Sequence, residues 1–146
     1  MKKFDDSQLY KLIYGKDFSK IKDFLEKYGL DSIDKDGRTF LMTAVIDGTE
    51  ELVRSLLTLG CEVNTKDKQG LTALHLAAIN NKINVVTILL SFGADINIVD
   101  DNGNSALWYA AMKLEKNSEV IKVLLDNGSD VNLANKHGVS PKDLLT

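Results

Sequence analysis

The chain is poor in the residues from which reaction centres and covalent frameworks are built. It has one cysteine (Cys61), one proline (Pro141), one tryptophan (Trp108) and two histidines (His75 and His137). A single cysteine excludes an intramolecular disulfide framework and suits a reducing compartment. Two imidazoles and one thiol leave little from which to assemble a metal or nucleophile site, and no GxGxxG, P-loop, HExxH or CxxC pattern is present. The reading is therefore non-catalytic, with no cofactor. No apolar run approaches the ~18 residues that would suggest a membrane span. The opening MKKFDDSQLY lacks the apolar centre of a signal peptide, which predicts a cytoplasmic chain, with signal-independent export left open. Neither sign of charge dominates: the net charge is −3. With no basic cluster interleaved with aromatics, neither nucleic acid nor an anionic membrane is expected as a partner.

What the chain does have is a repeat. Residues 34–44 (DKDGRTFLMTA), 67–77 (DKQGLTALHLA) and 100–110 (DDNGNSALWYA) share one pattern. Their glycines, Gly37, Gly70 and Gly103, are 33 residues apart both times, and a fourth start, NKHGVSPKDLL, places Gly138 another 35 residues on. A fixed period of this size means one small unit stacked on copies of itself. Such a stack offers a long surface rather than an enclosed pocket.

The second copy shows the unit. Asp67, Lys68, Gln69 and Gly70 are turn chemistry. Thr72 suits a helix N-cap, and 73–78 reads as a short helix whose small Ala77 and Ala78 let neighbours come close. Residues 80–82 break that helix. Residues 83–91 form a second one, with Val85, Val86, Leu89 and Leu90 making an apolar stripe, and Gly93 sits where a glycine ends it. Neither helix can hide its apolar face within one unit, so stacking is what stabilises it. The expected fold class is all-α: a solenoid of helix pairs with turn loops.

GLTALHLAA (70–78) followed by VVTILLSFGADIN (85–97) resembles an ankyrin repeat, as do GRTFLMTAV with ELVRSLLTLGCEVN and GNSALWYAA with EVIKVLLDNGSDVN. The resemblance runs from about Ile33 to the C-terminus. It implies L-shaped units in which β-turn loops project as fingers, first helices line a concave palm and second helices form the back. The expected division is a single domain with an N-terminal cap at 1–32, full repeats at 34–66, 67–99 and 100–134, and a partial repeat at 135–146.

The cap is expected as a helix pair over 6–14 and 16–28, with Leu9, Leu12, Ile13, Phe18, Ile21, Phe24 and Leu25 facing inward. At the other end, where the chain stops before a second helix, Leu124 and Leu125 are expected to be less covered than Leu89 and Leu90. That end is expected to fray unless a partner or a second copy covers it. Copy three carries two extra residues within 112–119, lengthening its helix–helix loop.

The titratable residues read as framework. His75 occupies the family's T-x-L-H histidine, which resembles a structural hydrogen-bonding residue. Cys61 falls where the family uses a small buried residue, and it lacks the neighbouring cation of a reactive thiol. His137 is expected to be solvated. The recurring Asp34, Asp67 and Asp100, and Asn64, Asn97 and Asn132, are read as satisfying local backbone groups in turns.

Specificity then falls to the positions that do not repeat. The finger tips differ: Lys35, Asp36 and Arg38, then Lys68, Gln69 and Leu71, then Asp101, Asn102 and Asn104, then Lys136, His137 and Val139. At the end of the first helix Ile46, Ile79 and Met112 are in register, flanked by Asp47, Asn80 and Lys113. An apolar row with graded charge beside it matches the core and rim of an interface. Trp108 replaces the framework histidine, and tryptophan is enriched in binding hot spots. The candidate partner-binding residues are Arg38, Ile46, Asp47, Lys68, Leu71, Ile79, Asn80, Asn102, Asn104, Trp108, Met112 and Lys113.

The expected function is recognition of a partner protein through palm and fingers. The resemblance to short bacterial ankyrin proteins suggests, most concretely, an immunity protein that occludes a cognate toxin. An adaptor or secreted effector docking a cellular or host protein is the alternative, and an enzyme of unrecognised type a remote one. The chain is expected to be a monomer, with self-association through its C-terminal end as the alternative.

Overall fold

The computed structural model describes residues 4–146. Residues 1–3, which begin the segment searched for a signal and belong to the expected cap, lie outside the described residues. The described residues form nine helices: α1 (Asp6–Gly15), α2 (Phe18–Tyr28), α3 (Phe40–Asp47), α4 (Glu50–Thr58), α5 (Ala73–Ile79), α6 (Ile83–Ser91), α7 (Ala106–Lys113), α8 (Glu119–Asp126) and α9 (Pro141–Leu145). The helices α3, α5, α7 and α9 pack side by side as one layer, and α4, α6 and α8 pack as a second. The architecture is the all-α stack that the repeat implies.

Local chemistry starts α3, α7 and α9 in the same way, while at α5 the Thr72 amide donates to His75 Nδ1. Thr39 caps α3 by accepting the Met42 N–H, Ser105 caps α7 by accepting the Trp108 N–H, and Ser140 caps α9, where Pro141 opens the helix. Asn80 closes α5, and Asn81 beyond it takes a left-handed backbone with φ 54°. Ala77 and Ala78 are fully buried, so α5 lies close against both α3 and α7. Around them Phe40, Leu56, Leu74, Leu89, Leu107 and Leu124 form one continuous core.

The fingers repeat atom for atom. In each, a carboxylate or amide oxygen accepts two amides: Asp67 Oδ1 takes the N–H groups of Gln69 at 2.8 Å and Leu71 at 3.0 Å. Asp34, Asp100 and Asn135 bond the equivalent amides. Each finger is also tied to the next through backbone: Lys68 N–H to Asp36 C=O, Asp101 N–H to Gln69 C=O and Lys136 N–H to Asn102 C=O. That spacing leaves no room for a side chain at Gly70, where a Cβ would lie 2.8 Å from the Asp101 nitrogen. A second ladder runs between units at the other side of each turn. Asp31, Asn64 and Asn97 accept the amides of Glu62, Asp95 and Asp130.

Three expectations about the ends need correction. Phe18 does not face inward; it is the first residue of α2, after the N-cap Asp17, and is 40% exposed. The second cap helix accordingly starts at Phe18, because Asp17 accepts the Lys20 amide and fixes the start there. Leu124 is fully buried like Leu89; only Leu125, one step round the helix, is exposed. The cap's core includes Phe4, edge-on to Phe24 at 5.4 Å, which no periodicity marked. The long loop of copy three is present, spanning 114–118 against 80–82 in copy two.

Candidate functional site: the palm and finger face

The face is built from the C-terminal ends of α3, α5 and α7 and from the turns that precede them. Along the apolar row, Met112 is more exposed than Ile46 and Ile79. Ile46 is half-buried against the core, and its carbonyl accepts the Lys82 ammonium. Ile79 is half-buried, and Met112 is 60% exposed. Trp108 and Met112 are four residues apart on α7, so they share one side of that helix. The Trp108 ring meets Tyr109 edge-on at 5.4 Å, and its Nε1–H is buried without a partner among the described residues.

Beside this row lie Asp47, Asn80 and Lys113. Asp47 is half-buried and Lys113 is exposed. The Asn80 side chain folds back on its own helix, donating to Leu76 C=O at 2.7 Å. Near the first finger, Arg38, Ile46 and Asp47 meet around a cleft of about 290 Å³ with Tyr10 and Lys35. Arg38 is also a strut between fingers, its Nε 3.5 Å from Asp67 Oδ2. Lys68 and Asn102 are exposed at their tips, and their fingers are held by the backbone ladder.

Two candidates are not surface residues. Leu71 is 6% exposed and belongs to the core. Its amide and carbonyl both bond Asp67, so the chain has already turned back under the finger. Asn104 is 5% exposed and is the centre of a buried polar network. Its Oδ1 accepts from Asn135 Nδ2 at 2.9 Å, its amide donates to Asp100 Oδ1 at 2.8 Å, and its carbonyl lies 3.1 Å from His75 Nε2. Both are corrected to framework positions.

The same network explains the titratable groups. His75 Nδ1 accepts the Thr72 N–H at 3.1 Å, so the proton sits on Nε2 and points to Asn104 C=O. Burial pushes the imidazole below its ordinary pKa and keeps it neutral. Burial opposes the charge on Asp100, but the Tyr109 hydroxyl at 2.7 Å and the amides of Asn102 and Asn104 outweigh it and hold the carboxyl below its usual range. Burial, followed by that same bond, raises Tyr109. Cys61 is buried and its thiol is pushed up to about 12, which leaves it protonated at neutral pH. Among the described residues no group of His, Cys, Asp and Glu side chains is placed to hold a metal ion, and no helix is long and apolar enough to cross a membrane.

Comparison with known families agrees with this geometry. The family model described as "Ankyrin repeats (3 copies)" matches residues 9–100 and, overlapping, 49–135. No curated protein was found to match the chain.

Proposed function

The chain belongs to the ankyrin-repeat family, whose repeats are generally protein–protein interaction modules, and we propose that it captures a partner protein non-catalytically through the palm and finger face. The observation that carries this reading is Met112. A thioether 60% exposed beside a half-buried tryptophan, on a helix whose other face is core, has no structural task there. Exposed apolar anchors rimmed by Lys113, Asn80 and Asp47 fit the anatomy of an interface. Ile46, Arg38 and Asp47 extend the surface at one end, and Lys68 and Asn102 at the finger tips. The most concrete form of the proposal is an immunity protein that occludes a cognate toxin. Its support is a framework bonded unit to unit, which loses little freedom on binding and so favours a tight one-to-one complex.

The test is a pull-down from the source organism followed by a toxicity-rescue assay. Ile79→Asp with Met112→Asp is expected to abolish capture while leaving the helical signal intact. Undiminished capture removes the palm from the proposal. A captured partner that is not toxic, bound weakly and exchangeably, replaces the immunity reading with that of an adaptor.

A further inference from the structure

A second surface lies at the opposite end of the unit from the fingers, along the edge where first helices turn into second helices. Here the end of α1, the start of α2 and the α3–α4 turn enclose a cleft of about 400 Å³. Its walls carry two aromatic rings that the core does not use, Tyr14 (66% exposed) and Phe18 (40% exposed). Ile21 and Leu52 line it beneath, and both are buried. Two carboxylates line it as well, Asp47 and Glu51. Neither makes a hydrogen bond or ion pair through its side chain among the described residues. Lys16 is the one cation of the lining, and it does not neutralise either carboxylate through an ion pair.

The two neighbouring clefts on the same edge differ in kind. They lie between 48–51 and 81–85, and between 81–83 and 113–119, and neither is lined by an aromatic side chain. In the first of them Glu50 is already occupied, accepting from Asn84 Nδ2 at 2.8 Å. Of these three clefts along the edge, the one at the cap boundary alone joins aromatic walls to carboxylates without a side-chain partner among the described residues.

We propose that this cleft anchors an arginine side chain from an extended segment of a partner protein. The charge complementarity and the ring faces select that occupant. A guanidinium lies flat on tyrosine and phenylalanine faces, and its five donors can serve two carboxylates at once. Its alkyl stem covers the apolar floor. A lysine presents a point charge with less to gain from flat walls, and an acidic or phosphorylated segment meets two unpaired carboxylates. This anchor shares Asp47 with the edge of the palm, but Tyr14, Phe18 and Glu51 lie outside the palm row, and the proposal does not rest on the palm reading.

The experiment is a titration of the full chain, followed by two-dimensional amide NMR, with the peptide Gly-Ser-Leu-Arg-Leu-Ser-Gly. A twin peptide carries citrulline, which keeps the shape of arginine and removes its charge. The arginine peptide is expected to saturate by about 1 mM, a modest affinity suited to one anchor, with shifts centred on Phe18, Gly48 and Thr49. The citrulline peptide is expected to bind roughly tenfold more weakly, as loss of charge-assisted hydrogen bonds implies. Glu51→Gln and Tyr14→Ala lie at exposed positions, and each is expected to weaken the arginine peptide several-fold with an unchanged amide spectrum elsewhere. Equal binding of the citrulline peptide, shifts centred on α5 and α7 instead, or no saturable shift overturns the proposal. Because the peptide reports on the cleft and the pull-down on the palm, either can fail without the other.

Discussion

His75 Nε2 lies 3.1 Å from the carbonyl oxygen of Asn104, 29 residues downstream, while its Nδ1 takes the Thr72 N–H. One imidazole thus starts a helix in its own unit and bonds the finger of the next. Replacing it with alanine leaves a buried carbonyl and a buried amide without partners as well as a void. The expected cost is about 2–4 kcal/mol, read as a fall in the urea midpoint.

The same residue sets a pH dependence. Its folded pKa is below the ordinary histidine value, so the folded state binds fewer protons than the unfolded one. The stabilisation is complete above about pH 6.5 and is lost as pH falls below that value towards the folded pKa. The melting temperature should drop between pH 7 and pH 5, and His75→Gln should flatten that slope. Tyr109 works at the other extreme. With its folded pKa raised, stability is present below about pH 10 and is lost as pH rises through that range. Tyr109→Phe should remove this alkaline loss.

Trp108 occupies the position that His75 holds one unit earlier, yet its Nε1–H finds no acceptor among the described residues. Trp108→Phe removes an unsatisfied donor along with some apolar area. The two effects oppose one another, and stability should stay within about 1 kcal/mol of the parent. Trp108→Ala loses the ring outright and should cost about 3 kcal/mol. Thermal melts of both variants check the contrast. If Trp108→Phe costs as much as Trp108→Ala, the indole N–H is satisfied after all.

Gly70 and Gly138 have nearly the same backbone, at φ 79° and 77°, but different neighbours. A Cβ at Gly70 would lie 2.7 Å from Asp101 Oδ1 and 2.8 Å from its nitrogen, whereas one at Gly138 would meet nothing within 4 Å. Gly138→Ala should cost only the left-handed strain, about 1 kcal/mol. Gly70→Ala should cost more, because the inter-finger bonds must also give way. Chemical denaturation of the two variants separates strain from crowding.

Much of this fold was written locally. The α6 bounds, the break at Asn81 and the Thr72 cap follow from residue chemistry within one unit, repeated until it could not be mistaken. What was not legible depended on relations between units. Leu71 stands one residue past the turn glycine, in register with Arg38 and Asn104, so its position suggested a tip. An apolar residue among polar ones marked instead the point where the chain folds back. Asn104 is buried at the same register position, and its Oδ1 is satisfied because Asn135 stands where the other fingers carry aspartate, whose carboxylate has no N–H to donate. That exchange was visible in the sequence, but its meaning needed the neighbouring finger. The cleft at the cap boundary was hidden for a different reason. Tyr14, Phe18 and Glu51 belong to segments that do not repeat one another, and no periodicity brings them together.

The backbone bonds that join Asp36 to Lys68, Gln69 to Asp101 and Asn102 to Lys136 make the projecting loops behave like the teeth of a comb cut from one sheet. No tooth can lean without dragging its neighbour. Whatever presses against them must already match their pitch, and mismatches can be absorbed only by the side chains at their points.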